Sequence, residues 1–213
     1  MKKTHRMTDI TDFKDCNKCK ELTGMYFKRQ YSPIDYLHGK RNSKVWIIGI
    51  NPYGDIGQND NEETIDKLID FKIDNSYFKD FENVSKCIFD ALGKENGVAH
   101  TDLIKCFSTC FPPINLNKND LYTILCNCRV YLKEQLDLYK PKVIICNGKH
   151  VVWHVEQLVP PNEDFGTFYY GNLPYKTIVF RSGFIGRIDN YAKRRLGKEI
   201  EKALIDLQIL TLI

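Results

Sequence analysis

The chain has 213 residues, 43% of them hydrophobic, which is enough to bury a core as one domain. Its 31 lysines and arginines against 27 acidic residues leave a net charge of +4, which suits a nucleic-acid partner without requiring one. The basic start MKKTHRMTDITDF lacks the apolar stretch of a secretory leader, and no run approaches the roughly 18 apolar residues of a membrane helix.

The N-terminal segment, 1–40, carries a C-x-x-C at Cys16 and Cys19. That spacing suits either a metal site or a redox pair, although no βαβ pattern surrounds it in thioredoxin fashion. In a reducing compartment the eight cysteines do not read as four disulfides, and Cys87 and Cys146 read as small core hydrophobes. Residues 45–50 (VWIIGI) are the first of four apolar, β-branched runs that read as buried parallel strands. The others are 101–107 (TDLIKCF), 143–146 (VIIC) and 177–180 (TIVF).

Helical patterns alternate with these runs. Residues 83–92 place Val84, Cys87, Ile88 and Ala91 on one face. Asn119 is a suitable N-cap for a helix to residue 139, with Leu121, Ile124, Leu125, Cys128, Leu132 and Leu136 on one stripe and Pro141 as its stop. Gly148 opens a shorter helix to residue 158, and Asp189 caps a basic one to about residue 210. Residues 58–80 and 160–175 fit neither pattern and read as long loops or lids. The alternation predicts an α/β protein: a three-layer α/β/α sandwich around a central, mostly parallel four-stranded sheet.

In such sheets ligands sit beyond the carboxyl ends of the strands, and each strand here ends in polar or glycine-rich chemistry. The first runs into Gly49-Ile50-Asn51-Pro52-Tyr53-Gly54. Gly49 permits close approach of a ligand and Asn51 offers an amide to a water or a base, although a plain turn would read the same way. Asp102, at the start of the second run, is a carboxylate for the same crevice or a solvated strand end. Gly148 stands at a helix N-terminus suited to a phosphate. Arg181, Ser182, Phe184 and Arg187 lie on one glycine-bearing stretch that suits a DNA-backbone clamp with an intercalating ring, or a flexible surface loop.

Together these residues resemble the uracil-DNA glycosylase superfamily, specifically its iron–sulfur branch, from Cys16 to about Arg187. Ile104-Lys105-Cys106, Cys128-Arg129-Val130-Tyr131-Leu132 and Pro141-Lys142-Val143 with Gly148 are similar to that branch's K-C…C-R-P-F/Y-L…P-R/K-V…G. The resemblance implies that Cys16, Cys19, Cys106 and Cys128 ligate a [4Fe–4S] cluster. Zinc is the alternative, because four thiolates suit both. G-I-N-P is similar to the mismatch-specific and single-strand-selective members, which implies that Asn51 positions the attacking water. Tyr53 is similar to the Tyr of G-Q-D-P-Y, which excludes a 5-methyl group, whereas the iron–sulfur branch has G-E-A-P-G here. Phe81, with Phe78 as second choice, stands about where the family stacks the flipped base.

Two positions depart from the family. Its base-reading Asn is replaced by Asp102, which has no donor for the O4 of uracil when ionised. It would accept from an exocyclic amine, and a protonated Asp102 would restore a donor. The family's H-P-S is replaced by Phe180-Arg181-Ser182-Gly183, so Arg181 becomes the candidate to stabilise the leaving base. Of five histidines only His100 is placed to matter.

The reading is a cytoplasmic, monomeric, single-domain glycosylase over residues 1–213, hydrolysing the N-glycosidic bond of a flipped uracil or deaminated base in single- or double-stranded DNA. A catalytically inactive iron–sulfur or zinc nucleic-acid-binding module of the same fold is the alternative.

Overall fold

A computed structural model describes Cys19, residues 43–51, 76–94 and 96–106, Pro112 and residues 116–209. The strands are β1 (Val45–Gly49), β2 (Val98–Asp102), β3 (Val143–Asn147), β4 (Pro161–Asp164), β5 (Phe168–Gly171) and β6 (Ile178–Ser182). The helices are α1 (Ser76–Lys79), α2 (Lys86–Ala91), α3 (Lys118–Tyr139), α4 (Lys149–Leu158) and α5 (Asn190–Asp206). Among the described residues, no helix is long and apolar enough to cross a membrane.

The six strands form one sheet in the order β2-β1-β3-β6-β5-β4. The first four pair in parallel. The last two pair antiparallel, so the expected four-stranded sheet is a six-stranded mixed one. The addition comes from residues 160–175, expected as a loop or lid, which fold instead into the β4–β5 hairpin. Every residue of β4 is exposed, so this edge strand carries no alternation of burial for its sequence to record.

β1, β2 and β3 are buried along their whole length because helices cover both faces. On one face Trp46, Ile48, Ile144, Cys146 and Val179 pack with Ile124, Leu132 and Leu136 of α3 and Val151 and Val155 of α4. On the other, Val45, Ile47, Val143, Ile145, Ile178 and Phe180 pack with Phe81, Ile88, Leu196, Ile200 and Leu204. Two-residue alternation along each strand therefore produces the three layers.

Several boundaries differ from expectation, among them the fourth parallel strand, Ile178–Ser182 where residues 177–180 were expected. α3 is capped by Asn117, not Asn119, its side chain accepting from Asp120 N. α2 is capped by Ser85 and spans Lys86–Ala91. The second strand ends at Asp102 where residues 101–107 were expected. Beyond it Leu103 and Ile104 are both fully buried in the same core layer, and consecutive residues on one face cannot continue a strand.

Candidate functional site

The shift of β2 moves Asp102 from the start of a strand to its carboxyl end, opposite Gly49 in the parallel register. Counting in twos from Val45, Val98, Val143 and Ile178 places Gly49, His100, Asp102, Asn147 and Ser182 on one face of the sheet. All but His100 stand at the last position of their strands. Asn51 follows two residues beyond β1 on the same rim.

Glycine at position 49 is what lets this corner close. A Cβ there would stand 2.2 Å from Asp102 Oδ1, 3.0 Å from Tyr77 Oη and 3.1 Å from His100 Nε2. Three polar atoms from two elements therefore converge over one bare backbone position. Asp102 and His100 are each only 2% exposed.

A hydrogen-bonded chain crosses this corner. Ile185 N donates to Asn147 Oδ1 at 2.8 Å, which turns the Asn147 amide so that Nδ2 donates to Tyr77 Oη at 3.1 Å. The Tyr77 hydroxyl lies 2.9 Å from His100 Nε2. Burial, then the nearby Asp102, push the Tyr77 phenol well above its usual range, so it remains a neutral hydroxyl. Its ring is bracketed edge-on by Phe81 (5.7 Å) and His100 (5.4 Å) and lies 6.2 Å from Phe184. The chain ties the segment after β6 to β3, α1 and β2.

Lys105 supports the same corner from the opposite side of the sheet. It is fully buried, and its Nζ donates to Thr101 Oγ1 (2.8 Å), to Gln135 Oε1 (2.7 Å) and to the carbonyl of Asp102. Burial pushes the ammonium down to about 7, opposed by Asp102 and Cys128. α3 thus holds the backbone that presents the Asp102 carboxylate.

The expected site residues fare differently. Phe81 is 0% exposed within the core and offers its ring to Tyr77 rather than to a ligand, and Phe78 is 6% exposed. Tyr77, four residues before Phe81, is the aromatic whose polar atom reaches the corner. Its position one helical turn from Phe81 was the available sequence signal. Tyr53 lies outside the described residues.

Arg181 points the other way. Its strand neighbours Phe180 and Ser182 share the face of Asn147, so Arg181 faces α4. Its Nε donates to Glu156 Oε1 at 2.6 Å, and its two terminal nitrogens grip Asp164 at 2.6 and 2.8 Å. A guanidinium so engaged, on the far side of the sheet, does not supply charge to the Asp102 corner. Gly148 uses its own N–H on the carbonyl of Ser182 (3.1 Å), leaving a phosphate only the amides that follow it. Ser182 Oγ donates to Gly183 O, and Arg187 is exposed with its guanidinium 6.0 Å from the Phe184 ring centroid.

Cys19, Cys106 and Cys128 all pack against the α3 side of the core, and Asn127 Nδ2 donates to Cys19 Sγ at 3.2 Å. Among the described residues no three His, Cys, Asp or Glu side chains are gathered closely enough to hold a metal ion. Cys16 and Cys110 lie outside them. Cys146 is a fully buried core residue whose thiol burial pushes far upward, and Cys87 is half-buried beside Ser85.

Comparison with known families gives one match. The family model of the uracil DNA glycosylase superfamily covers residues 37–182, more than two thirds of the chain. No curated protein matches it.

Proposed function

The chain belongs to the uracil DNA glycosylase superfamily, a family that acts on DNA, and we propose that it excises a deaminated base through the corner formed by Gly49, Asn51, Asp102, Tyr77 and His100. The observation that carries this reading is the convergence of Asp102, Tyr77 and His100 polar atoms over Gly49, at the carboxyl rim where such sheets bind ligands. Hydrolysis of an N-glycosidic bond requires the nucleotide to leave the stack, a held water and a counterpart for charge developing on the departing base. Asn51 is assigned the water. Asp102 is assigned the base edge, where its carboxylate accepts from an exocyclic amine or, if protonated, donates to a carbonyl. With Arg181 turned away, the polar contact to the departing base falls to His100, steadied by Tyr77. Phe184 and Arg187, held by the Ile185–Asn147 bond, are assigned the gap left by the flipped base and the neighbouring phosphate.

Cys16, Cys19, Cys106 and Cys128 are proposed to hold a [4Fe–4S] cluster, with zinc as the alternative. Support comes from the thiol chemistry, from three of the four sharing one side of the core, and from the amide donated to Cys19. Such a group would pin the N-terminal segment to α3, and no step of the reaction runs through it. Iron and zinc content of the purified protein, with absorption near 400 nm for a cluster, distinguishes the two; neither metal at stoichiometry would dispose of both.

Asn51→Ala separates an enzyme from a binding module. The expected result is a loss of base release of about a hundredfold or more, with DNA affinity within a few-fold of the parent. Equal turnover in both proteins would remove Asn51 from the mechanism.

A further inference from the structure

The β4–β5 hairpin ends in a phenylalanine that is exposed yet rigidly presented. Phe165 is 54% exposed at the turn. Gly166 holds the left-handed backbone there (φ 82°), a conformation other residues rarely adopt. Gly166 N donates to Asp164 Oδ1 at 2.8 Å, Phe165 N to Phe168 O at 2.9 Å, and Thr167 N to Phe165 O at 3.1 Å. Arg181 locks the turn from beneath: besides the fork on Asp164, Nη1 donates to Gly166 O (2.8 Å), and its guanidinium lies 4.6 Å from the Tyr169 ring centroid. The engagement that turns Arg181 away from the catalytic corner builds this tip.

The tip belongs to the same rim and face as the corner. Phe168 pairs with Phe180, and Arg181 N donates to Thr167 O, so the turn stands at the carboxyl end of β6. The Phe165 ring stacks on Phe168 (4.9 Å, 18°), which packs on Phe180 (5.5 Å) in the layer beneath Asn147. β5 is two strands from β3, about 10 Å across the sheet from Asn147. An aromatic column thus rises from the core into solvent beside the place assigned to the flipped nucleotide.

We propose that Phe165 is a stacking platform for an unpaired base flanking the flipped nucleotide, which makes single-stranded DNA the preferred substrate. The inference rests on the DNA-glycosylase reading of the corner. A flat ring held on one side by Phe168 has its other side available to the face of any base, and a base can lie on it only if it is not sandwiched in a duplex. The preorganised turn removes most of the ordering cost that a flexible loop would incur.

Binding of labelled single-stranded DNA and of the same strand in a duplex tests this with the parent chain, Phe165→Ala and Phe165→Trp. Phe165→Ala is expected to weaken single-strand binding about tenfold with duplex binding unchanged, and Phe165→Trp to preserve it. A 2-aminopurine on one side of the target should be quenched by the parent and not by Phe165→Ala. Arg181→Ala, which frees the turn, should reproduce the single-strand loss. Normal DNA binding with no effect of Phe165→Ala, or an equal loss on duplex, overturns the platform and leaves the glycosylase reading standing. If the parent binds neither form, both fall together.

Discussion

Asp102 is a carboxylate enclosed to 2% exposure over a position that has no side chain, with Tyr77 and His100 closing around it. The sign of the hydrogen bond it offers should decide which base is accepted. Asp102→Asn restores a donor for a carbonyl and an acceptor for a ring N–H. It is expected to shift preference toward uracil, and away from bases with an exocyclic amine, by about ten- to a hundredfold in kcat/KM. Competition between the two substrates measures this, and an unchanged ratio would take Asp102 out of base recognition. At this scale the motif residues were partly legible. Gly49, Asn51 and Asp102 stand out because glycine and short polar side chains at the ends of apolar strands are poor choices for packing. Tyr77 lies in a polar segment without periodicity, where its four-residue spacing from Phe81 was the one cue. The engagement of Arg181 with Glu156 and Asp164 was not legible, because a motif match does not reveal pleat parity, which needs the strand's true start.

At the scale of elements, helix α4 carries a burden that sets an acid limit on stability. His154 is 1% exposed, and its Nδ1 has no hydrogen-bond partner among the described residues. Burial, then Arg129 and His150, lower its folded pKa to about 4. The unfolded chain binds a proton near 6.5, so stability is unaffected above that pH. It falls as pH drops from about 6.5 toward 4 and levels off once the folded protein also takes the proton. The loss is on the order of 3 kcal/mol. Urea unfolding at pH 7 and pH 4.5 should show it in the parent and far less of it in His154→Leu; equal losses in both would contradict the assignment. The parallel strands and α3, α4 and α5 were legible because continuous β-branched runs and one-sided helical stripes follow from burial on two faces and on one. The hairpin was not, because its outer strand buries nothing and is held by backbone pairing and by a guanidinium that is remote in sequence.

The whole molecule has a division of labour between the two faces of its sheet. The α3 side carries Lys105 and Arg181, which hold backbone and a turn, and three of the four proposed ligand cysteines. The other side carries Asp102, His100, Tyr77 and Asn147. The departures from the family's motifs fall on both: Arg181 holds the hairpin turn, and Asp102 is the residue proposed to read the base. The family match places the chain by descent, and the proposed reaction is assigned to the corner. The most direct test is release of free base by the unsubstituted protein from oligonucleotides carrying uracil, hypoxanthine or xanthine, as single strands and in duplexes. The proposed function predicts turnover of at least one deaminated base, faster in the single strand. DNA bound with no base released from any substrate would contradict it.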